Sequence, residues 1–158
     1  MRVGITGHSN LAPDSVPGVA DALRSVLGDA GHPLVGVSCL ARGADQVFAR
    51  VVLDLGGRLE VVLPAEDYRV RKVTPANRDE FEALISRAEH VTVLPFAASD
   101  RAAYMAASET VLSGVERIVA VWDGQPSDGH GGTGDVVEAA KERGIPVDVV
   151  WPEGATRV

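Results

Sequence analysis

The feature of the sequence that most constrains the fold is a series of short, mostly apolar runs. They lie between turn-forming residues, at positions 3–6, 34–38, 59–63, 91–94, 118–122 and 147–150. Stretches whose apolar residues recur every three or four positions separate them, at 14–27, 44–55, 81–88, 100–111 and 136–143. Strands that are apolar on both sides are typical of a parallel sheet covered by helices. The sequence therefore predicts a doubly wound, Rossmann-like α/β fold of about six strands, with helices on both faces.

Length, apolar runs and cysteine content indicate a single domain without a membrane helix or a disulfide. A chain of 158 residues suits one domain with a proper core, so we expect residues 1–158 to form a single ligand-binding domain. No apolar run approaches the ~18 residues of a membrane helix, and we expect no membrane partner. The first strand begins at Arg2, so we expect no signal peptide. The single cysteine, Cys39, points to a reducing cytoplasm and to a packed thiol rather than a nucleophile.

The charge balance bears on the partner. The formal net charge is -7 and the isoelectric point is about 5.0, so the chain as a whole does not attract phosphate polymers. The charge balance therefore disfavours nucleic acid as a partner. A site for an anion has to be built locally, from a few cations and backbone N–H groups.

The predicted topology indicates where such a site lies. If the strand order is 3-2-1-4-5-6, the exits of strands one and four flank the switch point, where doubly wound sheets bind ligands. Four loops, at residues 6–10, 40–45, 95–101 and 123–135, then share one edge of the sheet. A longer polar connection at 64–76 is either a functional lid or surface.

The last of these loops is rich in glycine. Four glycines fall within residues 129–134, between an apolar strand and the start of a helix, which suits close backbone approach to an anion. A plain surface turn is the alternative. The residues that we expect to bind the ligand are Gly7, His8, Ser9, Arg42, Gly43, Asp45, Gly131, Gly132, Thr133 and Gly134.

Two arginines stand near predicted helix starts. Arg42 and Arg101 can add paired hydrogen bonds to an oxyanion that already faces backbone N–H groups, or they can be a solvated surface pair. His8 can act as a base or donate to phosphate, although a lone histidine is more often structural. No spacing of His, Cys and carboxylates suggests a metal site. The dinucleotide fingerprint is also missing after strand one, so we expect neither a nicotinamide nor any other cofactor.

Two segments resemble known families. Residues 37–45, Val-Ser-Cys-Leu-Ala-Arg-Gly-Ala-Asp, are similar to the Ser-Gly-Leu-Ala-Arg-Gly-Ile-Asp stretch of the DNA-processing protein A (Smf) group. Residues 130–138 resemble the Pro-Gly-Gly-x-Gly-Thr-x-x-Glu motif of the Lonely Guy phosphoribohydrolases, with His130 in place of proline and Asp135 in place of threonine. Arg101 and Met105 are similar to the Arg-Lys-x-x-Met segment of that group, with Ala102 in place of lysine. Both groups belong to the Rossmann-like SLOG superfamily.

The resemblance implies a nucleotide-type ligand. In the phosphoribohydrolases the arginine and the glutamate are taken as catalytic, which by resemblance assigns those roles to Arg101 and Glu138 if the chain is an enzyme. Glu138 is otherwise an ordinary exposed helix residue. Asp135 opposes phosphate binding, because a like-charge contact near 4 Å costs about 4 kcal/mol at an effective dielectric of about 20.

Three functions remain open. The leading one is a SLOG-type module that binds a nucleotide or nucleotide-derived phosphate, as a sensor. The second is hydrolysis of the N-glycosidic bond of a nucleoside monophosphate. The third, single-stranded DNA binding, is disfavoured by the acidic balance. The alanine-rich helix at 100–112 further suggests a homodimer, because small residues allow close helix approach.

Overall fold

The computed structural model describes residues 1–126 and 132–158. Gly131 and most of the glycine loop therefore lie outside the described residues. The strands are β1 (Arg2–Gly7), β2 (Val35–Ser38), β3 (Arg58–Leu63), β4 (His90–Val93), β5 (Arg117–Val121) and β6 (Val147–Val150). The helices are α1 (Val16–Gly28), α2 (Ala44–Asp54), α3 (Tyr68–Arg71), α4 (Arg78–Ser86), α5 (Arg101–Ser113) and α6 (Thr133–Glu142).

The strands form one parallel sheet, as the apolar runs predicted, but their order differs from the expected one. The observed order is β4-β3-β2-β1-β5-β6, with every neighbouring pair parallel. The prediction that strand four lies beside strand one is wrong, because β4 pairs with β3 and extends the sheet outward. The chain then returns along α5 to place β5 against β1. The switch point is consequently between β1 and β5.

Helices cover both faces of the sheet, and β3 shows this most directly. Alternate residues of a strand point to opposite faces. Leu59 and Leu63 pack in a core cluster with Phe81 of α4, whereas Val62 packs with Ala107 of α5. The helices α1, α2 and α4 therefore lie on one face, and α5 and α6 lie on the other. The fold class predicted from the sequence is confirmed.

The connection at residues 64–76 is more ordered than its polar composition suggested. Residues 68–71 form the short helix α3, and Tyr68 and Val73 are buried against Phe81. The rings of Tyr68 and Phe81 are 6.4 Å apart. Two buried apolar anchors among charged neighbours therefore hold this segment against the body of the domain.

The strand β4 forms one border of the sheet. All four of its residues are exposed, among them Val91 and Val93 at 45% and 47%. Within the described residues, no helix is both long enough and apolar enough to cross a membrane.

Candidate ligand-binding cleft

A cleft of about 580 Å³ opens at the carboxyl edge of the sheet, directly over the switch point. Its volume falls in the range of about 300 to 1,000 Å³ that is usual for small-molecule sites. The loops that follow β1, β2 and β5 contribute to its walls, together with the first turns of α5 and α6. Tyr68 of α3 and Arg157 near the carboxyl end of the chain complete it.

Two glycines allow the first two loops to approach closely, and at Gly43 the contact is backbone against backbone. A β-carbon on Gly7 would lie 2.5 Å from Cβ of Ala44, and one on Gly43 would lie 2.7 Å from the carbonyl oxygens of both His8 and Ser9. Gly43 also has φ 80° and ψ -128°, a conformation that side chains disfavour. The N–H of Ala44 donates to the carbonyl of His8 at 3.2 Å. Close approach therefore explains both glycines, and the backbone conformation is a second reason for Gly43.

His8 is nearly buried and is held from two sides. Its Nε2 accepts a hydrogen bond from the backbone N–H of Asp123 at 3.1 Å and lies 3.2 Å from the Asp123 carboxylate. Its ring meets Trp151 edge-on, with 5.5 Å between centroids. Burial, followed by the charge of Arg157, lowers the pKa of His8, while Asp123 opposes the shift. The neutral ring is favoured, so its proton resides on Nδ1 when Nε2 is the acceptor.

The segment after β2 is braced by its own side chains. Ser38 Oγ accepts from the N–H of Leu40 at 3.0 Å, and Gln46 donates to the carbonyl of Leu40 at 3.2 Å. Leu40 has φ 54°, so these two bonds hold a residue in the left-handed region. The loop that carries Arg42 is thus fixed by buried polar contacts.

Asp45 occupies the floor of the cleft and is only 8% exposed. Its Oδ2 accepts a hydrogen bond from the N–H of Ala41 at 3.3 Å. Burial raises the pKa of Asp45 to about 7, and the Ala41 hydrogen bond only partly opposes this. A carboxyl group that titrates near neutrality inside a cleft is typical of a functional position.

Aromatic and thiol groups complete the floor beside Asp45. Tyr68 and Tyr104 meet edge-on, with 6.4 Å between ring centroids. Burial, and then the charge of Asp45, raise the pKa of both the Cys39 thiol and the Tyr68 hydroxyl. Cys39 is therefore a protonated thiol in the cleft wall, and reactivity is not favoured.

The rim of the cleft is cationic. Arg42 and Arg101 are exposed cleft residues, and neither forms an ion pair with any residue in 1–126 or 132–158. Arg101 reaches the cleft although β4 is distant, because the segments after β3 and β4 are joined. The Ser99 hydroxyl donates to Asp67 at 2.6 Å, and the N–H of Glu66 donates to the carbonyl of Phe96.

A third arginine, which the sequence did not predict, also lies at the cleft. Arg157 lines the cleft, donates from Nε to Asn10 Oδ1 at 2.9 Å and lies 3.3 Å from the Asp123 carboxylate. The tail that carries it is fixed to the first loop, since Leu11 and Arg157 form an antiparallel bridge. No motif near residue 157 marks this position, so only the fold reveals it.

The start of α6 closes the last wall. Gly132, Thr133 and Gly134 line the cleft, and the first N–H groups of a helix have no partner within it. Asp135 and Glu138 are not among the described residues that line the cleft, and Glu138 is exposed. The structure thus separates the glycine backbone, which faces the cleft, from the carboxylates that follow it in the sequence.

Most of the predicted site residues come together in this cleft. Those that line it are Gly7, His8, Ser9, Arg42, Asp45, Arg101, Gly132, Thr133 and Gly134. Gly43 stands behind the wall, where it borders a second, smaller groove between α1 and α2. Within the described ranges, no group of three or more His, Cys, Asp or Glu residues is placed to hold a metal ion.

At the level of sequence, neither a family model nor a curated protein matches the chain. At the level of structure, DNA processing protein A from Streptococcus pneumoniae superposes with a TM-score of 0.71 at 17% identity, over 97% of this chain and 51% of the other. The protein of the same name from Helicobacter pylori superposes with a TM-score of 0.70 at 16% identity, over 99% of this chain and 68% of the other. The chain shares the Rossmann-like fold of these proteins.

A third solved structure widens the set of similar folds. The molybdenum cofactor binding protein from the phototrophic bacterium Rippkaea orientalis gives a TM-score of 0.59 at 13% identity, over 96% of this chain and 77% of that one. The chain spans about half the length of the Streptococcus pneumoniae protein. Identities this low establish a shared fold, and the resemblance of residues 37–45 to the DNA-processing group is consistent with it.

Proposed function

We propose that the chain binds a nucleotide or a nucleotide-derived phosphate in the cleft, as a sensor or carrier of that ligand. The observation that carries this proposal is the cationic rim, where Arg42, Arg101 and Arg157 converge in a protein of net charge -7. Two of these guanidinium groups have no ion-pair partner within the described part of the chain. Concentrating unpaired positive charge around a cleft favours an anionic ligand.

The shape and chemistry of the cleft support a ligand with two unlike ends. The N–H groups at the start of α6, together with the arginine rim, suit phosphate oxygens. The lining of the cleft includes Tyr68, Tyr104 and Trp122, which offer aromatic surface for a planar heterocycle. Among similar folds, one binds the molybdenum cofactor and another binds single-stranded DNA, as their names state. A nucleotide derivative combines both kinds of chemistry.

A binding experiment with matched arginine variants tests the proposal. The unfolding temperature of the protein is measured with AMP and with ADP-ribose, and the heat of binding of each ligand is measured by calorimetric titration. Adenosine serves as the ligand that lacks phosphate. We expect the phosphate-bearing ligands to raise the unfolding temperature, because a ligand that binds only the folded state stabilises it. The double variant Arg42→Ala, Arg101→Ala should lose this shift.

The matched control is Arg58→Ala. Arg58 begins β3 at the opposite edge of the sheet, and its side chain is 66% exposed, so its removal should leave ligand binding unchanged. No shift with any phosphate ligand at millimolar concentration would contradict the proposal. So would an equal shift in the wild-type protein and the double arginine variant.

The alternative functions stay predictions with their own tests. Hydrolysis of a nucleoside monophosphate requires release of free base that is lost in Arg101→Ala and in Glu138→Ala. The exposed position of Glu138 does not favour this reaction. Single-stranded DNA binding requires a salt-sensitive gel shift. A homodimer through α5, on which Ala102 is exposed, requires a dimer in sedimentation.

A further inference from the structure

The floor of the cleft holds a carboxyl group that the phosphate-binding rim does not explain. Asp45 is more than nine-tenths buried, yet it lines the cleft. Among the described residues, the one hydrogen bond to its carboxyl group is donated by the N–H of Ala41 to Oδ2. No fully buried side-chain oxygen among the described residues lacks a partner, so Oδ1 keeps some exposure, and Asp45 lines the cleft.

The surroundings of Asp45 separate it from the cations. Burial is the main cause of the raised pKa of Asp45. Among the described residues, no arginine side chain lowers that pKa. Its charge instead acts on Cys39 and on Tyr68, which places the carboxyl beside the aromatic floor. A ligand whose phosphate lies at the arginine rim would therefore present its heterocycle, rather than its phosphate, to Asp45.

We propose that Asp45 is the base-recognition residue of the site and selects a heterocycle that presents adjacent N–H donors, as the guanine edge does. An ionised carboxylate accepts hydrogen bonds and donates none. Guanine offers N1–H and the 2-amino group side by side, whereas adenine offers an acceptor, N1, beside the 6-amino group. The carboxylate therefore pairs with guanine and leaves adenine N1 facing a second acceptor. This inference rests on the proposed function, since it assigns the base of the same ligand.

If Asp45 contacts the base, the preference for guanine over adenine should depend on the protonation state of its carboxyl group. An aspartate with only a structural role would not produce this dependence. The protonated carboxyl has one donor and matches adenine, and the ionised carboxylate matches guanine. Asp45 titrates at about pH 7, so preference for guanine should grow as pH rises through that value. The other titratable or charged cleft residues that share this space are Cys39, Tyr68, Tyr104, Arg42, Arg101, His8 and Arg157.

The experiment compares GMP with AMP at about pH 6 and about pH 8, on either side of the Asp45 pKa. Both ligands carry the same phosphate monoester, so titration of the phosphate near pH 6 and of His8 cancels in the ratio of their dissociation constants. We expect GMP to bind about tenfold more tightly than AMP at the higher pH, in line with one good paired contact to a base. The ratio should fall toward one at the lower pH.

Asp45→Asn is the decisive variant. The amide keeps the shape of the side chain and can still accept from Ala41 through its oxygen, so the fold is retained. We expect its GMP to AMP ratio to be independent of pH. Asp54→Asn is the matched control, because Asp54 lies on the same helix, α2, and is exposed at its far end. It should behave as wild type.

The outcomes distinguish this inference from the proposed function. Equal binding of GMP and AMP at both pH values, or an unchanged ratio in Asp45→Asn, overturns the role of Asp45 and leaves phosphate binding intact. Binding of neither nucleotide overturns the proposed function itself. If Asp45→Asn fails to fold, the wild-type pH dependence of the ratio decides alone.

Discussion

The packing of the first two loops makes a quantitative prediction about three glycines. Gly28 ends α1, has no unusual φ, and has nothing within 4 Å of an added β-carbon. Gly56 has φ +80° with nothing within 4 Å. Gly43 has the same φ with a ψ of -128°, and its β-carbon would in addition meet two backbone carbonyl oxygens at 2.7 Å. The three positions separate helix propensity, backbone strain and steric contact.

The expected free energies of unfolding follow from these differences. Gly28→Ala should stabilise the fold by about 0.5 kcal/mol, because alanine has the better helix propensity. Gly56→Ala should destabilise it by about 1 to 2 kcal/mol, the cost of a left-handed φ for a residue with a side chain. Gly43→Ala should add a further 1 to 3 kcal/mol or so of overpacking, for a total of about 3.

Urea denaturation at a fixed pH measures all three variants against wild type. Equal slopes with denaturant would show that only stability has changed. Gly43→Ala should also weaken nucleotide binding, because the displaced carbonyls belong to the loop that carries His8 and Ser9. If Gly43→Ala is no less stable than Gly56→Ala, the first two loops do not pack backbone against backbone, and the account of the cleft wall fails.

Three further predictions concern charged groups at the cleft. The folded-state pKa of Asp45, about 7, lies above the ordinary aspartate value, so wild type should lose about 1 kcal/mol of stability per pH unit as pH rises from about 4 to about 7, and no more above that; Asp45→Asn should lack this loss when both are denatured at a series of pH values. The lowered pKa of His8 acts in the opposite direction, so stability falls as pH drops below about 6.5, and His8→Asn should flatten that limb of the curve. Arg157→Ala removes contacts to Asn10 and Asp123, and should weaken AMP binding while costing about 1 kcal/mol or less of stability; unchanged AMP affinity by calorimetry would exclude Arg157 from the site.

The sequence was sufficient to predict a parallel sheet covered by helices on both faces, but not to predict the order of the strands in that sheet. Each apolar run became a strand. The central strands β1, β2, β3 and β5 are mostly buried, as such runs predict, whereas the border strand β4 is exposed throughout. The position of β4 depends on whether the chain continues past β3 or returns toward β1. That choice is made by packing between distant residues, such as Val62 against Ala107, which no local pattern encodes.

The same contrast holds for the site. Arg42 and Arg101 line the cleft, since both follow strands at one edge of a parallel sheet, and their contact with a ligand stays a prediction. Arg157 was missed because its place depends on the tail pairing with Leu11, a contact between the two ends of the sequence. The burial of Asp45 and the exposure of Glu138 likewise depend on how each helix turns after its first residues.

Five charged or titratable residues of the cleft lie outside the strands, and this position affects how ligand preference can change by substitution. His8 and Arg42 lie on loops, Asp45 and Arg101 in the first turn of a helix, and Arg157 on the tail. None of these five residues is part of a strand, so the sheet does not depend on them for its register or its core. Ligand preference can therefore diverge by substitution at these positions while the folded scaffold persists. A family built on this sheet can acquire new chemistry without first acquiring a new architecture.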